Sequence, residues 1–357
     1  MSNRERRATI SDVAKAAGVS TSTASVVFSG KVGVTEATRE RVLAAAAELG
    51  YTGPDPRAAS LRRGRSGIVG VVLAGHLRHA FLDPVTTAMM DGLTDALTDV
   101  STGILLLRDD PFGAEAPPIA DAPIDAVVLI GCSDRIRDAV EIVRRRGMPA
   151  VVIEGDGGDD ITEISLDNRE ASAMLARHLA DLGHTRVASV ALPLGPRRLR
   201  GPITDDRLAD ATVGVTLERL AGFRDVYPDA PVISTAGSLI DEGLSAGREL
   251  LADPLSRPTA IVAQSDLLAV GVIRAAEELG LRVPEDLSVV GFDGIDVDGL
   301  GAQQLTTVVQ PALEKGRAAG EQIARMLHGE PGEPVHFTVQ FRPGETTAPA
   351  PAEAALR

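Results

Sequence analysis

The sequence predicts an α/β protein in two parts, a three-helix helix-turn-helix headpiece followed by a larger core of doubly wound parallel sheets in two lobes. Three observations carry this. Residues Thr9 to Tyr51 place apolar positions at helical spacing around a glycine turn. From Gly67 onward, seven short Val/Ile-rich runs alternate with longer amphipathic stretches. At 357 residues the chain also exceeds a single ordinary core.

In the headpiece, Ser11 is positioned to cap a first helix carrying Val13, Ala14 and Ala17 on one face. Gly18 permits a tight turn, and Val19 can point back into the small core. Ser20 can cap a second helix over 21–28, with Ala24, Val27 and Phe28 inward and short polar residues outward. Thr35 opens a third helix that runs to Gly50, with Glu36 in its first turn. Small polar residues at a helix start after a glycine turn can enter a DNA major groove. Spacing alone fits an ordinary small helical bundle equally well.

The predicted strands are 67–73, 103–107, 126–130, 150–153, 186–192, 259–263 and 287–292, and seven suit two lobes better than one. TGPDP after Tyr51 is a breaker cluster, RAASLRRGRSG follows it, and the Pro/Ala-rich tail 344–357 is expected to be disordered.

The formal charge of −14 looks wrong for a nucleic-acid binder until it is divided. Residues 1–66 hold eleven basic and six acidic side chains, a balance of +5, which leaves −19 for the rest. A basic head on an acidic body can attract phosphates locally while the body avoids nonspecific adhesion. No apolar run reaches the ~18 residues a membrane span needs. MSNRERRATISD lacks an apolar signal core, and the lone Cys132 allows no internal disulfide, so a reducing cytoplasm is expected. The six histidines show no metal-ligand spacing, EGDGGDD lacks a calcium-loop register, and no nucleophile elbow occurs. No enzyme, metal or cofactor is expected.

TISDVAKAAGVSTSTAS, VTEATRERVLAAAAELGY and AASLRRGRSG, in that order, resemble the DNA-binding headpiece and hinge of the lactose/galactose repressor (LacI/GalR) family. PTAIVAQSDLLAVGVIRAAEELGLRVPEDLSVVGFDGID, then QLTTVVQP, resembles the second half of that family's core, which is similar to periplasmic sugar-binding proteins. The resemblance implies a headpiece over 1–51, a hinge over 52–66 and a two-lobed effector core over 67–343. The N-lobe would take about 67–165 and 295–330, and the C-lobe about 166–294 and 331–343. Three crossing strands would join the lobes, with the effector in the cleft.

By the same resemblance, Thr21, Ser22 and Val26 would read bases. Ser20, Thr23, Ser25, Ser29, Thr35, Thr38 and Tyr51 would contact phosphates, and their hydroxyls suit that job. Many relatives carry Arg at the position of Val26 and Asn at that of Ser29. Val offers only apolar contact where Arg can bond a guanine edge, so the operator read here should differ. Leu61 would wedge into the minor groove, with Ala58 allowing close approach of the paired helix. The spacing from Tyr51 to Leu61 is one residue longer than usual, and Asp55 replaces a common Asn.

Arg219 and Asp266 carry the best effector match, with Phe81, Glu154, Phe292 and Asp293 as further pocket candidates. With nine aromatic residues and no Trp, stacking platforms for a sugar are scarce. LGPRRLRGPITDDRLADATVG (194–214) departs most from the family pattern. It brings Arg197, Arg198, Arg200 and Arg207 toward one cleft mouth, where they could recruit an anionic effector or form a solvated loop. The expected protein is a homodimeric regulator, in the first instance a repressor, on a pseudo-palindromic operator. A transporter's solute-binding protein is the alternative reading of the same core.

Overall fold

The computed structural model describes residues 8–29, 33–53, 64–74, 77–100, 103–109, 118–131, 136–296 and 303–351. The chain divides into two compact units at Gly67.

The first unit holds helices α1 (Ile10–Ala16), α2 (Thr21–Phe28) and α3 (Glu36–Glu48). Thr9, not Ser11, caps α1. Its hydroxyl accepts from Asp12 N at 3.3 Å while Thr9 N donates to the Asp12 carboxylate at 2.9 Å, a reciprocal box that Ser11 could not close. Ser20 caps α2 and Thr35 caps α3, as the sequence implies. Val13, Ala14, Ala17, Ala24, Val27, Val42, Ala45 and Ala46 form a small core, closed at its rim by Val19 and an edge-to-face contact between Phe28 and Tyr51 at 5.3 Å. Gly18 supplies the left-handed turn between α1 and α2 (φ +65°).

The second unit carries the core. All seven predicted strands form, as β1 (Ile68–Ala74), β2 (Gly103–Asp109), β3 (Ala126–Ile130), β4 (Ala150–Ile153), β6 (Val187–Ala191), β9 (Ala260–Ala263) and β10 (Ser288–Val290). Added to these are β5 (Thr162–Leu166), β7 (Gly201–Pro202), β8 (Val232–Ser234), β11 (Thr307–Val309), β12 (Val335–Phe337) and β13 (Gln340–Arg342). One sheet runs β12-β5-β4-β3-β1-β2 and is parallel throughout; the other runs β10-β9-β6-β8-β7. The helices are α4 (Leu77–Leu82), α5 (Pro84–Leu97), α6 (Ile136–Arg146), α7 (Asn168–Asp181), α8 (Asp205–Ala209), α9 (Gly214–Arg224), α10 (Ile240–Leu251), α11 (Asp266–Glu278) and α12 (Ala312–Leu327). Apolar clusters fill the space around each sheet, as parallel strands covered on both faces require.

The chain passes between the sheets three times. It leaves the first sheet after β5, returns after β10 as α12 packs on that sheet, and leaves again after β12. Strand β12 therefore belongs to the first sheet, pairing with β5, rather than to the C-lobe in which the resemblance placed about 331–343. The tail also departs from expectation over residues 344–351. Val289 N donates to Thr346 O at 2.8 Å, the Thr346 hydroxyl donates to Val289 O at 2.7 Å, and Ala350 N donates to Leu182 O at 2.9 Å. The Thr346 bonds satisfy the free edge of β10 and the Ala350 bond ties the tail to the end of α7, roles that Pro/Ala-rich composition does not reveal.

Candidate functional site

Both sheets present a topological switch point, where the strand order reverses and a crevice opens at the carboxyl ends. In the first sheet it lies between β1 and β3, in the second between β6 and β9. A cleft of about 180 Å³ opens there. Leu73 on β1 and Ile130 on β3 face Leu192, just after β6, across this space, and Ala80, Val213 and Leu239 add further apolar surface.

Its polar lining comes from Asp83, Thr86, Arg198, Thr216 and Ser238. Asp83 caps α5, accepting from Val85 N at 3.1 Å and from the Thr86 hydroxyl at 2.9 Å. Burial pushes its carboxyl above the ordinary value despite those bonds. Thr216 donates to Pro193 O at 2.8 Å, and Ser238 donates to Ser265, the cap of α11, at 2.8 Å. Gln264 braces the second lobe's wall, accepting from Leu192 N and donating to Thr216 O.

A closed ring of buried polar side chains also connects the two sheets. Asn168, first residue of α7, donates to Glu154 after β4 at 2.8 Å and accepts from Arg219 Nε on α9 at 2.8 Å. Arg219 lies 3.6 Å from Asp293, which accepts from Gln310 at 2.6 Å. Lys315 of α12 closes the ring, donating to both Gln310 and Glu154. Arg219 also donates to Gln264 O at 2.6 Å and stacks over Phe292, its guanidinium 3.5 Å from the ring centre. Burial alone would raise Glu154, but the Lys315 and Arg219 charges outweigh it and hold its carboxyl below the usual range. Asp293 is raised by burial, with Asp266 and Asp83 adding to the rise and Arg219 opposing it.

Among the described residues three non-glycines have left-handed φ: Glu154 (+53°), Arg198 (+44°) and Asp293 (+127°). Two belong to the ring and one lines the cleft, so backbone strain gathers at this site.

The structure brings Arg219, Glu154, Asp293 and Phe292 together in this layer, but none of them lines the cleft. Asp266 is fully buried beside it, accepting from the Thr307 hydroxyl at 2.6 Å and from Ile295 N at 2.9 Å. Burial pushes its carboxyl up to about 7 against those bonds. Phe81 on α4 is 55% exposed, next to the cleft-lining Ala80. Of the four arginines in 194–214, only Arg198 lines the cleft. Arg200 pairs with Glu242 at 2.6 Å, and Arg207 donates to the carbonyls of Leu199, Gly201 and Pro202 and to Ser234.

In the headpiece, Thr21 and Ser22 stand exposed at the start of α2, and Val26 is half-buried one turn on. Ser20, Ser22 and Thr23 join hydroxyls at 2.7 and 2.8 Å, as do Thr35 and Thr38 at 2.9 Å. The exposed Ser29 hydroxyl donates to Val26 O at 3.0 Å, and Ser25 and Tyr51 are half-buried. Ala58 and Leu61 lie outside the described residues. Among the described residues no helix is long and apolar enough to cross a membrane.

Sequence reasoning missed Asp83, Thr86, Thr216, Ser238, Asn168, Gln310 and Lys315. Asp83 had a local signal, a carboxylate directly before Pro84 at a helix start. Lys315 had one too, since it shares a helical face with Ala318, Ala319 and Gln322, all buried.

Residues 9–53 match the description "Bacterial regulatory proteins, lacI family", and residues 176–347 match "Periplasmic binding protein-like domain". The HTH-type transcriptional regulator IpsA of Corynebacterium glutamicum is 30% identical over 98% of this chain and 100% of its own. The structure of the transcriptional regulator CelR in complex with cellobiose is 25% identical, with a TM-score of 0.64 over 95% of this chain and 100% of that one. The lac repressor dimer bound to operator and the anti-inducer ONPF has the same fold, with a TM-score of 0.73 at 22% identity over 96% of this chain and 100% of that one. With a capped helix-turn-helix unit ahead of a two-sheet core opening on a cleft, the chain belongs to the lacI family of bacterial regulatory proteins and is a DNA-binding transcriptional regulator.

Proposed function

We propose that this regulator is a cytoplasmic, non-enzymatic homodimer that represses transcription from a pseudo-palindromic operator. Its operator affinity would be set by a small molecule, a sugar or sugar derivative, in the interlobe cleft. The headpiece would be 1–51, the hinge 52–66 and the effector core 67–343. A two-fold dimer matches two half-sites, which is why a palindrome is expected. Thr21, Ser22 and Val26 would read bases, Ser20, Thr23, Ser25, Ser29, Thr35, Thr38 and Tyr51 would contact phosphates, and Ala58 and Leu61 would act at the minor groove.

The observation that carries the effector reading is the cleft's position at the switch points of both sheets, walled by residues from each. Arg219, Asp293, Glu154, Phe292 and Asp266 would act beneath the ligand, holding the lobes in register so that binding changes their relative angle. CelR's cellobiose complex supports the sugar class. Linkage fixes one consequence: an effector that weakens DNA binding must be bound less tightly by the DNA complex.

The test is a mobility-shift assay of the full chain on its own upstream DNA, run with and without a panel of sugars and sugar derivatives. A salt-sensitive, sequence-selective shift is expected, altered by at least one ligand. A Ser238→Trp variant, which fills the cleft, should still bind DNA and lose the ligand response. No selective shift under any condition would sink the regulator reading. An unchanged ligand response in Ser238→Trp would move the effector elsewhere.

A further inference from the structure

The polar groups lining the cleft are not equally committed. Asp83 and Thr86 bond to each other, Thr216 to Pro193 and Ser238 to Ser265. Arg198 is the exception: among the described residues no hydrogen bond or ion pair engages its guanidinium. Its backbone is nonetheless fixed, with Arg198 N donating to Gly195 O at 3.1 Å in a turn whose φ of +44° strains a non-glycine residue. Flanking arginines anchor that turn, Arg200 on Glu242 and Arg207 on three carbonyls and Ser234. Arg198 also lines an adjoining cavity of about 390 Å³, together with Arg197, Arg207, Asp206 and Asp210. The departure at 194–214 is therefore a built rim that holds one half-buried, unpaired guanidinium over a mostly apolar cleft.

We propose that Arg198 forms an oxyanion subsite at the cleft, so that the effector carries a phosphate monoester or a carboxylate. This rests on the reading that the cleft holds the effector. A guanidinium is matched to such groups by its planar fork, and it gains most where water is partly excluded. The apolar walls take the body of the ligand, and the Asp83 carboxyl is already engaged by Val85 N and the Thr86 hydroxyl.

The test is calorimetric titration of the full chain, at constant ionic strength, with glucose against glucose 6-phosphate, glucose against gluconate, and ribose against ribose 5-phosphate. Inorganic phosphate serves as the minimal probe. An anionic member should bind about ten-fold or more tightly than its neutral partner, as a charge-assisted bond implies. Arg198→Gln should erase that preference, Arg198→Lys should keep part of it, and Arg197→Gln should leave most of it. The phosphate and gluconate arms separate a phosphate ester from a carboxylate. Neutral and anionic partners binding alike, with Arg198→Gln changing neither, would overturn the subsite while leaving the cleft reading intact. Failure of inorganic phosphate and every anionic probe to bind would overturn it as well. The cleft reading fails separately, through the Ser238→Trp result.

Discussion

The headpiece and the core place the side chains proposed to carry function in opposite settings. In the headpiece, Thr21 and Ser22 are exposed, and the nearby hydroxyls of Ser20 and Thr35 cap helices whose core is formed elsewhere, by Val13, Ala24 and Val42. In the core, Glu154, Asn168, Arg219, Asp293, Gln310 and Lys315 satisfy one another in a buried ring that connects the two sheets. On the proposed assignment, function and stability are separable at Thr21 and Ser22 and fused in the ring. A substitution at Thr21 or Ser22 would remove proposed base contacts at small cost to the fold, whereas a ring substitution strands a buried charge.

The sharpest break of that contrast comes from Lys315. Lys315→Ala leaves the buried Glu154 carboxylate without its ion-pair partner, and removing one partner of a buried pair costs roughly 3–5 kcal/mol. Thermal or denaturant unfolding should show the loss in the core. Removing both charges, as Glu154→Gln with Lys315→Met, should recover a large part of it. A single variant of unchanged stability would mean that the ring is not what holds the lobes.

Asp266 gives the next effect, read through pH. Its folded pKa of about 7 lies above the ordinary 3.8, so the folded state keeps a proton that the unfolded chain releases. Stability from this group is intact below about pH 4, drains as pH rises toward 7, and levels off above it, a change on the order of 4 kcal/mol. Asp266→Asn should flatten that stretch of the stability curve. An unchanged slope between pH 4 and 7 would contradict the assignment.

The smallest effect belongs to the headpiece. Thr35→Ala removes the cap of α3 and should cost about 1 kcal/mol, confined to the first unit. Hydrogen exchange on residues 36–48 would detect it, and a matching loss of protection in the core would erase the distinction between the regions.

The same contrast explains what the sequence disclosed. Headpiece elements were legible because caps, glycine turns and helical periodicity act over a few residues. The one misplaced cap is Ser11 for Thr9: Ser11 lies inside α1, and Thr9 before it closes the reciprocal bonds with Asp12. Core strands of continuous Val/Ile character were legible too, whereas β5 (TEISL) mixes polar residues into its run, and β8 and β11 are three residues long. The ring joins residues as distant as 154 and 315, so no local pattern announces it. Even so, Lys315 on an otherwise buried helical face was a readable sign. The tail misled because its order comes from the edge of β10 rather than from its own composition.

The most direct test of base reading by α2 is the affinity of the full chain for its own upstream duplex and for unrelated DNA, measured by fluorescence anisotropy at two salt concentrations. The comparison is wild type against Thr21→Ala/Ser22→Ala. The double variant should bind its own site at least about ten-fold more weakly, keep its affinity for unrelated DNA and its salt slope, and leave core unfolding unchanged. Undiminished preference for the upstream duplex, or an equal loss on both DNAs, would contradict the account.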